Sequence, residues 1–88
     1  MPKKGMIPEA VDAMAQQIDT ASQEVQTRYE EARGRLGELE WTGEDATAFR
    51  SRFEDEVGTL MRQAVSGAQE LAARARSNAV QQREASAS

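Results

Sequence analysis

Few residues in this chain could carry chemistry. Glu54, Asp55 and Glu56 are consecutive carboxylates, the grouping most suggestive of a cation site or an acid/base pair, and Arg74, Arg76 and Arg83 come nearest to a phosphate-binding set. Neither group holds together as a site. Neighbouring residues on a helix point about 100° apart, so the carboxylates cannot converge on one ion or one bond and read as a solvated face. The arginines are interspersed with alanines and lack aromatic neighbours to stack on bases. With a formal charge of −4 for the whole chain, they argue against a nucleic-acid partner. Histidine and cysteine are both absent. That removes Ser-His and Cys-His dyads, thiolate and imidazole metal ligands, and disulfides. No catalytic residue, metal ligand or cofactor is expected, and the function to look for is association.

The elements that would position an association surface follow from composition and spacing. Eighty-eight residues make one small domain, 39% hydrophobic but only 5% aromatic, with 30% charged residues. Ala, Glu, Gln and Arg favour helix, and β-branched and aromatic residues are too sparse to supply several strands, so the expected class is all-α. Pro8 followed by Glu9 reads as a first helical turn. From there apolar or small residues fall at Ile7, Val11, Met14, Ile18, Ala21, Val25, Tyr29, Ala32, Leu36 and Leu39, mostly alternating steps of four and three. Such steps trace one stripe on a helix over 8–39, a rod of about 48 Å at 1.5 Å per residue. A second stripe through Ala46, Phe49, Phe53, Val57, Leu60, Ala64, Ala68, Leu71, Ala75 and Ala79 predicts a helix over 44–80. Met61, Val65 and Ala72 lie beside it and widen the apolar face beyond what one neighbouring helix covers. Core and dimer interface are therefore expected at Met14, Ile18, Val25, Tyr29, Phe49, Phe53, Val57, Leu60, Met61, Ala64 and Leu71.

The connection at 40–43 is short enough to fold the rods back antiparallel, giving a helical hairpin. Thr42 is the expected N-cap of the second helix, with Asp45 completing a capping box and Trp41 stapling to Ala46 in that register. The indole then clamps the turn as a buried side chain. Charge supports the same topology: residues 9–27 carry only Glu9, Asp12, Asp19 and Glu24, whereas 62–83 carry Arg62, Arg74, Arg76 and Arg83 against Glu70 alone. Residues 1–7 read as a flexible leader, and 81–88, which have no large apolar side chain, as a disordered tail. No apolar run approaches the roughly 18 residues that would span a bilayer, so no membrane insertion is expected. Lys3 and Lys4 precede only Met6 and Ile7 before Pro8, which is no Sec signal.

Trp41-Thr42-Gly43 placed between two long amphipathic helices, with Ala46 and Phe49 following at three-residue steps, resembles the Trp-X-Gly (Esx-like) family of small type VII secretion system proteins. The resemblance covers nearly the whole chain. It implies two hairpins dimerising into a four-helix bundle, as a homodimer or with a related Trp-X-Gly protein. It also implies delivery of the folded dimer to the type VII secretion ATPase in the cytoplasm of a bacterium and export without a Sec signal. In the family one subunit carries a Tyr-x-x-x-Asp/Glu export element after the second helix; here Val80 and Glu84 stand at the matching place, a degenerate form lacking the tyrosine. Two other roles suit the same pattern: a cytosolic helical adaptor, or an export chaperone that pairs with the helical head of a larger cargo protein.

Overall fold

The computed structural model describes residues 7–87, and among them there are helices and no strand. Helix α1 runs Pro8–Glu38, α2 runs Glu44–Arg52, a π-helical turn occupies Phe53–Val57, and α3 runs Gly58–Ala87. Arg52, Phe53 and Gly58 keep right-handed helical dihedrals at the junctions, so α2, the π-turn and α3 form one continuous second rod. The two rods pair antiparallel into a hairpin of 67 × 16 × 16 Å. Pro8 stands in the first turn of α1, where its missing N–H costs no helical bond.

The turn is built differently from the sequence expectation. Gly43 caps α2 with φ 111°, a conformation that side-chain-bearing residues rarely adopt, and its carbonyl accepts the Thr47 N–H at 3.1 Å. Thr42 makes no capping bond, since no side-chain oxygen bonds the first amides of α2. Reversal at Gly43 starts the helix one residue later than a Thr42 cap would. Trp41 therefore lies two residues before the cap, outside the staple register. The carbonyls at the end of α1, which have no intrahelical donor, are met by Arg50 of α2. Its Nε donates to Leu36 O at 2.9 Å and its Nη2 to Leu39 O at 3.2 Å. Arg50→Ala is expected to lower stability by about 2 kcal/mol, because two charge-assisted bonds are lost and a part-buried carbonyl is orphaned. An unchanged urea midpoint would show that the clamp contributes nothing.

Between the rods the buried residues repeat every seven positions: Ala15, Ser22 and Tyr29 on α1, and Gly58, Val65, Ala72 and Ala79 on α3. Seven residues are close to two helical turns, so each set is a straight seam. Its residues are mostly small, and Ala15, Ala72 and Ala79 are completely covered, which lets the backbones approach closely. Tyr29 is the exception in size. Its ring stacks on Phe53 with centroids 5.4 Å apart and planes within 2°. A Cβ at Gly58 would stand 2.8 Å from its Oη, so glycine makes room for it.

One flank of the seam is closed by charge. Arg83 donates to Asp12 at 2.6 Å, Arg76 to Asp19 at 2.7 Å, and Arg33 to Glu54 at 3.2 Å. The first two pairs join the acidic half of α1 to the basic half of α3, the antiparallel match that the charge distribution suggests. The hydrogen bonds from Arg83 to Asp12 and from Arg33 to Glu54 raise the pKa of guanidinium groups that are already cationic. Exposed pairs of this kind add little to stability and serve to select orientation.

Two further expectations are corrected. The second helix continues past residue 80 to Ala87, so 81–87 are helical instead of a disordered tail; residues 1–6 of the leader and Ser88 lie outside the described residues. The π-turn also holds one residue more than an α-turn, which shifts the helical phase. The stripe that enters it at Ala46 and Phe53 leaves at Gly58, Met61 and Val65. Phe49, Val57, Leu60 and Leu71 are left outside the seam, each at least 41% exposed.

Candidate functional site

Opposite the charged flank, the seam is open and apolar. A hollow of about 250 Å³ lies between Ile18, Ala21 and Val25 of α1 and Ala64 and Ala68 of α3. Val25 is shared with a second hollow of about 460 Å³, walled by Tyr29, Ala32, Phe53, Val57, Leu60 and Met61. Phe53 and Val57 are shared in turn with a third, of about 310 Å³, which reaches Phe49 between Arg52 and Glu56. Together they form one trough along the hairpin. Around it stand large apolar side chains: Met14, Val25, Leu60 and Leu71 are 45–65% exposed. Small residues are inside and large ones outside, the reverse of ordinary burial.

The surface area carries the same message. A folded monomer of 9.7 kDa is expected to expose about 5,100 Å². This hairpin exposes 6687 Å². The excess is about 1,600 Å², which follows from the slender shape: two rods with no third element leave one flank of the seam uncovered.

The residues singled out in the sequence fall into separate sets. Tyr29 is buried in the seam, and Ile18, Phe53 and Met61 are half-buried at its open edge. Met14, Val25, Phe49, Val57, Leu60, Ala64 and Leu71 are exposed. Ile18, Val25, Tyr29, Phe49, Phe53, Val57, Leu60, Met61 and Ala64 line the trough itself. Trp41, Thr42 and Gly43 sit at the hairpin tip and line none of these three hollows. Trp41 is not buried: 39% of its surface remains exposed, and its ring meets Phe49 at 5.6 Å with the planes tilted by 54°. A contact of that size makes Trp41→Ala cost about 1 kcal/mol, to be read as a small shift in the thermal midpoint. A loss several times larger would mean that the indole anchors more than this one ring. Val80 and Glu84 lie one turn apart within α3, not beyond it. Glu54 and Glu56 turn to different arginines, Arg33 on α1 and Arg52 on the same rod.

Sequence reasoning missed Arg50 and Ser22. Nothing in the local pattern marks Arg50, whose carbonyl partners are known only once the turn is folded. Ser22 is 4% exposed, and its Oγ is buried without a hydrogen-bond partner behind the first hollow. Ser22→Ala is expected to stabilise the hairpin by about 1 kcal/mol, by removing an unsatisfied hydroxyl and adding helix propensity. A fall in the denaturant midpoint would show that the hydroxyl has a role. The signal that could have located the seam was present: Gly58, Val65, Ala72 and Ala79 recur at seven-residue steps.

Among the described residues no helix is long and apolar enough to cross a membrane. Comparison with protein-family models, with curated proteins and with solved structures finds no match to this chain.

Proposed function

We propose that this protein is a small non-enzymatic type VII secretion substrate that acts by protein-protein association and is exported as a folded dimer. The observation that carries the association is the trough: one flank of the hairpin is sealed by ion pairs while the other presents large apolar residues around three connected hollows. A second helical hairpin laid on that flank completes a four-helix bundle, with the seam residues at its centre. The export route rests on the Trp41-Thr42-Gly43 turn between two long rods, the feature shared with the Trp-X-Gly family. The secretion ATPase is the second partner in this reading, and either the paired subunit or Val80 with Glu84 supplies the export signal.

Secretion from the producing cell, with and without an active type VII ATPase, tests this. The expected result is the chain in the culture supernatant only when the ATPase is active. Retention in the lysate beside a working apparatus would overturn export and favour the cytosolic adaptor, and co-purification with the helical head of a larger cargo would favour the chaperone.

A further inference from the structure

We infer that the π-turn is a movable element: its extra residue can travel along the second rod from Phe53–Val57 to 71–79, turning the stretch between by about 100° and exchanging the face that lies in the seam. The bearing on function rests on the association reading above, because the same rotation withdraws the large apolar residues of the second rod from the open flank.

Both ends of the second rod are tied to α1. Toward the turn, Ala46 is completely covered and Arg50 bonds Leu36 O and Leu39 O. At the far end Ala79 is completely covered, and Arg76 and Arg83 hold Asp19 and Asp12. Neither tie fixes where the extra residue sits between them. Two ladders of seven-residue steps run through that interval, one residue apart: Gly58, Val65 and Ala72, and Val57, Ala64 and Leu71. The first lies five residues beyond Phe53, one more than an α-turn, and continues from Ala72 to Ala79 by an ordinary seven. The second lies four residues beyond Phe53, an ordinary α step, and continues from Leu71 to Ala79 by eight. Each ladder joins the same two ends with one surplus residue, placed ahead of the small ladder or behind the large one.

The two packings trade opposed gains. The present one sets small residues in the seam, brings the rods close and leaves Val57, Leu60 and Leu71 each at least 41% exposed. The other turns those three inward and brings out Val65 and Ala72, which buries more apolar area and gives up the close approach. Two arrangements of one core balanced in this way are what a switching element requires. Tyr29 holds the present one. Its ring stacks on Phe53, and its Oη lies where only glycine leaves room, since a Cβ at Gly58 would stand 2.8 Å away.

The chain has no cysteine, so a single introduced thiol reports its own exposure. Val65→Cys and Leu71→Cys are made separately in the full chain, and each again with Gly58→Ala, whose methyl group crowds Tyr29 only while residue 58 faces it. Their reaction with iodoacetamide is followed below the concentration at which sedimentation shows association. Gly58→Ala is expected to speed the reaction at Val65→Cys about tenfold and to slow it at Leu71→Cys, with helicity by circular dichroism unchanged. Rates that stay as they were, or that rise together as in a rod that merely loosens, would overturn the inference. Deleting Asp55 gives a second measurement that does not depend on Gly58→Ala folding. Without the surplus residue the small ladder follows Phe53 at an ordinary step, and nothing is left to move. Below the unfolding transition Val65→Cys should react at a rate independent of urea in the full rod, because rotation exposes little new surface. In the deleted rod only unfolding exposes it, so the rate should climb with urea from the start. A climb in both rods means that the π-turn is fixed. The two proposals fail separately. Reciprocal rates in a chain that never associates sink the association reading alone; a chain that associates while its π-turn stays fixed sinks this inference alone.

Discussion

Tyr29→Ala is expected to destabilise the hairpin by about 3 kcal/mol, at the lower end of the cost of removing a buried aromatic side chain. The ring is 9% exposed, is the largest side chain in an otherwise small-residue seam, and stacks on Phe53 at 5.4 Å. Its loss leaves a void beside Gly58, which has no side chain to move into the space. Tyr29→Phe keeps the stack and should cost less than about 1 kcal/mol, since only the hydroxyl lying over Gly58 is lost. Urea unfolding at one fixed protein concentration measures both, because association adds to apparent stability by mass action. Equal losses in the two variants would mean that the hydroxyl, not the ring, holds this level of the seam together.

Deleting Gln69 should have an effect of similar size through a different route. Gln69 is exposed and lies in regular α-helix, so its removal takes no contact from the seam but rotates everything after it by about 100°. Ala72 and Ala79 then leave their buried positions, and Arg76 and Arg83 turn away from Asp19 and Asp12. A loss of about 3 kcal/mol is expected. Deleting Asp55 should cost less than about 1 kcal/mol, because the π-turn holds one residue more than an α-turn: without it Ala46, Phe53, Gly58 and Val65 fall at steps of seven, four and seven, one face of an unbroken α-helix. Equal losses in the two deletions, read from urea midpoints, would mean that the π-turn does not absorb the extra residue.

The sequence already revealed the two rods, because runs of four-and-three steps longer than 30 residues fit only one regular structure. Antiparallel direction was also legible, since Asp12 and Asp19 have matching arginines only at the far end of the chain. The face turned inward on the second rod was not. Size-weighted reading puts Phe49, Leu60 and Leu71 in the seam, but two rods in close contact need small residues there, and Gly58, Ala72 and Ala79 supply them. The π-turn compounds the error. Phe-Glu-Asp-Glu-Val carries no mark that distinguishes five π residues from α residues, and only the fit of Tyr29 against Phe53 and Gly58 shows where the extra residue goes. The helical end at 81–87 was hidden for a similar reason. Gln82 is half-buried and Arg83 bonds Asp12, so polar side chains hold a helix that lacks large apolar ones. On the open flank, nine of the eleven residues expected at core and dimer interface line the trough, and Met14 and Leu71 do not; the spacing alone did not show that most of them stay uncovered.

The row of ion pairs from Asp12 to Arg83 and from Asp19 to Arg76 has a consequence for assembly. A slender hairpin with two greasy sides would recruit neighbour after neighbour and grow into a filament. Here the back is wet and salted, and offers a third hairpin nothing to grip. In the association proposed above, growth would halt once the single dry side is taken, keeping the particle small and its outline closed.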